Sequence, residues 1–143
     1  MPQIPGLKVL FVAGFGPIVS EPAKSKQFYV DVLGLPLEAM EHDPTYYHGE
    51  KLDGVKHFAL WPLKSAAEAV FGTPSWPSNV PTPNSWIEFD VEDVPAATEV
   101  LKKQGYKLLV EARQEPWGQT VTRLMSPEGL LVGVTFTPWM RGA

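Results

Sequence analysis

Apolar and polar residues alternate over 85–91, SWIEFDV, which predicts a strand with one buried face. The period then changes. Val94, Ala97 and Leu101 recur at helical spacing behind Asp93, a residue suited to cap a helix, and Gly105 stops the run. The same phrase occurs earlier in the chain. Residues 7–19 alternate, although Gly14 and Gly16 interrupt them; Ser20 is placed to cap a helix, with Glu21 and Pro22 in its first turn. Phe28 and Val32 sit four apart, as do Tyr29 and Leu33, and Gly34 ends the second helix pattern. Three short strand patterns follow each helix, at 36–41, 45–50 and 55–61 and again at 106–112, 119–125 and 130–136. Asp53-Gly54 and Ser126-Pro127-Glu128-Gly129 mark hairpin turns.

The chain therefore reads as β-α-β-β-β twice, and a repeated supersecondary unit predicts a pseudo-symmetric fold. Residues 64–71 suit two helical turns, and 72–84, with four Pro, form a linker that holds Trp76. The expected organisation is one domain, 1–143, made of a first module at 7–71, the linker at 72–84 and a second module at 85–139. Two helices are too few for a doubly wound parallel sheet. The expected class is α+β, a curved, cup-shaped mixed sheet with helices on its outer face.

Composition narrows the functional classes. The 143 residues are 44% hydrophobic and 20% charged, ordinary for a packed domain. A net charge of −4 without a Lys/Arg cluster speaks against nucleic acid. No apolar run reaches the ~18 residues of a membrane helix, and residues 1–16 lack a signal-peptide layout. With no Cys there is neither a disulfide nor a thiolate site. A cytoplasmic location is the expectation.

The segments VSEPAKSKQFYVDVLGL, EFDVEDVPAATEVLKKQGYKLL and PWGQTVTRLMSPEGLLVGV, in this order and spacing, resemble the vicinal oxygen chelate superfamily, the fold of glyoxalase I, extradiol dioxygenases, and fosfomycin- and bleomycin-resistance proteins. The resemblance covers nearly the whole chain, with Ser126 where the family usually has Asp before Pro127. It implies a divalent metal held by four side chains, His, Glu or Gln, on the strand before each helix and the last strand of each module. Mapped onto this chain, those positions are Gly14, Ala59, Trp86 and Gly133, none of which can coordinate through its side chain. The expectation is a protein with no metal and no cofactor.

Strand alternation assigns the other cup residues. Glu88 and Asp90 share the face of Trp86; His57 and Trp61 share that of Ala59, while Phe58 and Leu60 face the core. Leu131 and Thr135 share the face of Gly133. The expected ligand-binding set is Trp86, Glu88, Trp61, His57, Trp117 and Arg123, an aromatic wall with a carboxylate, suited to an aromatic or cationic small molecule. Each has a plain structural alternative: Trp86 and Trp61 as core, Glu88 and Arg123 as a cross-sheet ion pair, His57 as a bonded structural histidine. His42 and His48 read as exposed or edge residues, Tyr46 and Tyr47 as hairpin packing with one ring inward, and Trp76 and Trp139 as packing or dimer residues. Glu92-Asp93 reads as a helix start.

Two functions of the cup remain open, beside a third reading in which a degenerate relative serves as a partner-binding or regulatory subunit. One is metal-independent sequestration of a small molecule, as the bleomycin-resistance branch implies, by a homodimer. The other is a lyase, isomerase or dioxygenase, with a displaced metal on His57, Glu88 and His48, or with Glu88 or His57 as general base.

Overall fold

The first helix pattern folds with two geometries. In a computed structural model that describes residues 7–141, helix α1 (Pro22–Lys26) runs on as a π-helix, Gln27–Val32. Its wider turn is closed by Leu33 N–H donating to the Phe28 carbonyl at 3.0 Å. Glu21, not Ser20, is the N-cap, and no side chain caps the helix. The broad apolar face expected at ordinary helical spacing splits in consequence. Tyr29 and Val30 pack on the core, whereas Phe28, Val32 and Leu33 stay 52%, 69% and 54% exposed. Residues 1–6 and 142–143, which the domain and signal-peptide readings include, lie outside the described residues.

The remaining elements are β1 (Val9–Val19), β2 (Glu38–Met40), β3 (Asp43–Gly49), β4 (Phe58–Pro62), α2 (Leu63–Phe71), β5 (Ser85–Val91), α3 (Val94–Lys103), β6 (Leu108–Gln114), β7 (Thr120–Met125) and β8 (Leu131–Phe136), with a 3-10 turn at Pro138–Met140. The class is α+β, as the patterning predicts. Described residues form two compact units, one of 7–13 with 87–141, the other Gly14–Trp86. The division falls within β1 and within β5.

In the Gly14–Trp86 unit the strands lie in the order β2-β3-β4-β1. β1 and β4 are parallel, with Phe15 opposite Phe58, while β2, β3 and β4 pair antiparallel, so the sheet is mixed. Val19, Leu37, Phe58 and Leu60 form the core, with Tyr29 and Tyr47 packed against it. Tyr47 is the inward tyrosine of its pair. Asp43 ties the start of β3 to the first turn of α2: it accepts from the Ser65 hydroxyl at 2.8 Å and from the Thr45 N–H at 3.1 Å and hydroxyl at 2.5 Å. Burial works against the Asp43 charge, but these bonds and the charge of Lys64 hold its carboxyl below the usual range.

The other unit repeats the order as β6-β7-β8-β5. Asp93 caps α3 by accepting from Ala96 N–H at 3.0 Å. Val91, Val94, Ala97 and Val134 form the core. A buried hydroxyl relay joins three elements: Ala112 N–H donates to Thr122 at 2.7 Å, the Thr122 and Thr98 hydroxyls are 2.6 Å apart, and Thr98 donates to the Val94 carbonyl. The relay holds the irregularity of β6 where Ala112 adopts φ +42°. In the β7–β8 turn the Ser126 hydroxyl accepts from Leu130 N–H at 3.0 Å, supplying the acceptor that the family's Asp would supply.

Asp93→Ala is expected to cost ~1 kcal/mol in denaturant unfolding. Because the Asp43 carboxyl is depressed in the folded state, its contribution is fully present above the unfolded-state value and is lost as pH falls through the folded value. Ser65→Ala therefore lowers stability at pH 7 by ~1 kcal/mol, and the gap to the parent narrows as unfolding is measured at increasingly acid pH.

Candidate functional site

In the Gly14–Trp86 unit, three of the four positions where the resemblance implies metal ligands fall together, and one side chain fills the space. Trp86 is 4% exposed and donates its indole N–H to the Ala59 carbonyl at 3.2 Å. A Cβ placed on Gly14 would stand 3.0 Å from the Trp86 ring and 2.8 Å from the His57 carbonyl oxygen. Gly14 is thus the residue that lets the indole lie across β1. Trp61, 8% exposed, meets the Trp86 ring edge-on at 6.0 Å, and His57 lies 6.2 Å from it. His48 is 5.6 Å from His57, and Tyr46 is 5.8 Å from His48. The result is a file of five rings: Tyr46, His48 and His57 half-buried, Trp86 and Trp61 buried. Phe58 and Leu60, on the alternate face of β4, enter the core instead.

In the other unit the fourth position behaves the same way. A Cβ on Gly133 would come within 3.0 Å of the Glu88 side chain. Glu88 occupies that space as half of an ion pair with Arg123, Oε2 to Nη1 at 2.9 Å, the two side chains 13% and 2% exposed. Gln119 donates to the other Glu88 oxygen at 2.8 Å and to the Thr135 hydroxyl at 2.9 Å, and its own carbonyl accepts from the Trp117 indole at 2.9 Å. Trp117 is 55% exposed. Of the two readings of Glu88 and Arg123, the structure displays the ion pair. Glu88 meets a cation of the chain itself, which weakens the argument for a cationic ligand on that carboxylate.

The residues present do not fit the metal that the fold implies. Its four positions carry Gly, Ala, Trp and Gly, their spaces are taken by Trp86 and Glu88, and the Glu88 carboxylate is bonded to Arg123 and Gln119. Among the described residues, no group of three or more His, Asp or Glu side chains stands close enough to hold an ion.

The expected set thus divides: Trp86, Trp61 and His57 meet in one unit; Glu88, Arg123 and Trp117 are joined through Gln119 in the other. Sequence reading missed Gln119, just before β7, and Thr135, on β8 beside β5, as bonding partners of Glu88's network. It placed Asp90 on the face of Glu88 but missed its partners: fully buried, Asp90 accepts from the Thr137 N–H and hydroxyl and pairs with Arg141 at 2.7 Å. The only available signal was an acidic residue at an inward position, which requires a partner. His42 is exposed, as expected, and Trp139 is 51% exposed.

A family model described as Glyoxalase/Bleomycin resistance protein/Dioxygenase superfamily matches residues 15–134. Among solved structures, a glyoxalase/bleomycin resistance protein/dioxygenase superfamily member from Vibrio splendidus 12B01 is similar at 19% identity and a TM-score of 0.56, covering 90% of this chain and 97% of that one. The structure described as NAD-dependent benzaldehyde dehydrogenase from Legionella pneumophila is similar at 16% identity and 0.55, covering 85% and 96%. Homoprotocatechuate 2,3-dioxygenase from Brevibacterium fuscum is similar at 23% identity and 0.58; the match covers 94% of this chain and 39% of the dioxygenase. At these identities the likeness is one of fold. No curated protein sequence matches the chain.

Trp86→Ala is expected to cost ~3–5 kcal/mol through the cavity it leaves, and Trp117→Ala, at an exposed ring, well under half of that. Arg123→Met leaves the Glu88 carboxylate without its cation and is expected to cost ~3–5 kcal/mol. The double variant Glu88→Gln/Arg123→Met recovers part of that loss, read by a double-mutant cycle in urea.

Proposed function

Because the chain belongs to the glyoxalase/bleomycin resistance protein/dioxygenase superfamily yet carries Gly14, Ala59, Trp86 and Gly133 where metal-dependent members place ligands, we propose that it binds a small aromatic or cationic molecule without a metal and without turnover. The observation that carries this reading is the Trp86 indole, lying against Gly14 and bonded to the Ala59 carbonyl. A side chain that fills a metal position leaves no Lewis acid there, but it supplies an aromatic surface. In this reading the ligand rests on the half-buried rings of Tyr46, His48 and His57, backed by Trp86 and Trp61, through stacking and cation–π contact.

The competing reading, an enzyme with Glu88 as general base, runs against the pairing of that carboxylate. Both of its oxygens are already engaged, Oε2 by Arg123 and Oε1 by Gln119, so a substrate proton would have to displace one of these partners. A displaced metal on His57, Glu88 and His48 meets the same objection, since Glu88 would have to exchange Arg123 for the ion. The reading also carries a homodimer as the working form, in keeping with the exposed Phe28, Val32 and Leu33; sedimentation equilibrium reads it directly. No helix among the described residues is long and apolar enough to cross a membrane.

Titration with proflavine, a planar aromatic cation, is expected to quench tryptophan fluorescence saturably and to return the dye chemically unchanged. Tyr46→Ala and His57→Ala are expected to weaken binding about tenfold each. A near-stoichiometric divalent ion in protein purified without chelator would overturn the reading. So would stabilisation approaching the ~2.7 kcal/mol due from an ion at 100 times its dissociation constant.

A further inference from the structure

The Gly14–Trp86 unit also carries a groove of ≈1030 Å³, bounded by the end of β1, the β2–β3 turn, the first turns of α2 and the 72–84 segment. Two of its walls are fixed by bonds within the unit. One is Trp76, whose indole N–H lies 3.1 Å from both the Val80 and Pro81 carbonyls and whose ring meets Phe71 edge-on at 4.9 Å. The Pro-rich segment is folded around this ring, which makes the indole a held plate rather than a swinging side chain. The other wall is the Asp43 carboxylate. Its Oδ1 takes both donors of Thr45, while among the described residues its Oδ2 accepts only the Ser65 hydroxyl. A carboxylate oxygen can accept two hydrogen bonds, so Oδ2 retains capacity for a donor arriving from the groove.

The charge of the lining favours a cation. Asp43 and Glu68 stand against the single Lys64, with His42 at the edge. Apolar lining comes from Val19, Leu63 and the prolines. A concave, partly apolar surface with one orienting carboxylate and one flat aromatic ring is the chemistry of a small-molecule site.

We propose that this groove is a second ligand site, distinct from the ring file, that takes a small arylalkyl ammonium. The ammonium donates to Asp43 under the field of Glu68, and the aryl ring lies on the Trp76 indole. The hydrogen bonds that hold Asp43 ionised keep the acceptor ready across neutral pH.

The test is calorimetric titration of the full chain with 2-phenylethylammonium chloride, with 2-phenylethanol as its uncharged counterpart. Saturable binding of the ammonium at millimolar concentration or below, with no heat from the alcohol, is expected. Asp43→Asn is expected to weaken it about tenfold or more. Asp43 also anchors α2, so its variant is checked by circular dichroism. If that variant does not fold, Glu68→Lys decides: this exposed change reverses a groove charge and is expected to weaken binding severalfold. Equal binding of ammonium and alcohol, unaltered binding in a folded Asp43→Asn or in Glu68→Lys, or no binding at all would overturn the proposal. The Tyr46→Ala and His57→Ala variants should bind 2-phenylethylammonium normally, which separates this groove from the ring file.

Discussion

The absence of a side chain at Gly14 is the constraint on which much of this structure depends. Any Cβ there would collide with the His57 carbonyl and press on the Trp86 ring. With Gly in place, the indole lies across β1, reaches the Ala59 carbonyl and meets the rings of His57 and Trp61. Interiors are packed to crystal-like density, so a space of this kind must be filled by something. Here the chain fills it with its own tryptophan. The same exchange occurs in the other unit, where Gly133 yields its space to Glu88.

Filling those spaces has electrostatic consequences. β5 brings two carboxylates inward, Glu88 and Asp90, and each is matched by an arginine, Arg123 and Arg141. A buried carboxylate without a partner is strongly unfavourable, so each pair ties β5 to a distant part of its unit. Glu88 fastens β5 to β7, and through Gln119 to Thr135 of β8 and to Trp117. Asp90 fastens it to the segment after β8. Carboxylates committed in this way maintain the structure of their unit.

Much of the fold was legible because its signals are local. Asp93, Val94, Ala97 and Gly105 mark α3 by capping and period, and the structure places that helix at Val94–Lys103. The first helix was harder. Its capping signal at Ser20 was displaced to Glu21, and a π-helical stretch broke the face that 3.6-residue spacing predicts, because a wider turn rotates Val32 and Leu33 away from the core. The inward face of β4 was readable from alternation, and the rings of His57 and Trp61 meet Trp86 as that alternation requires. Gln119 was not readable, since a neutral amide carries no periodic signal and acquires meaning only from the atoms around it. The anchoring of Trp76 by Val80 and Pro81 likewise depends on how a Pro-rich segment closes on itself.

The sequence by itself determined the repeated β-α-β-β-β order, the family to which it belongs, and the four residues at the metal positions that lack donor side chains. Those are properties of residue type and spacing, which no packing arrangement can change. Tertiary structure alone decided what occupies the vacated spaces, because a tryptophan or glutamate on an inward strand face can serve equally as a wall, an ion-pair member or a plug. The choice rests on approaches of 2.9 to 3.2 Å to Gly14, Ala59, Gly133 and Arg123. Such distances emerge when strands remote in sequence are brought into register, and spacing along the chain does not encode them.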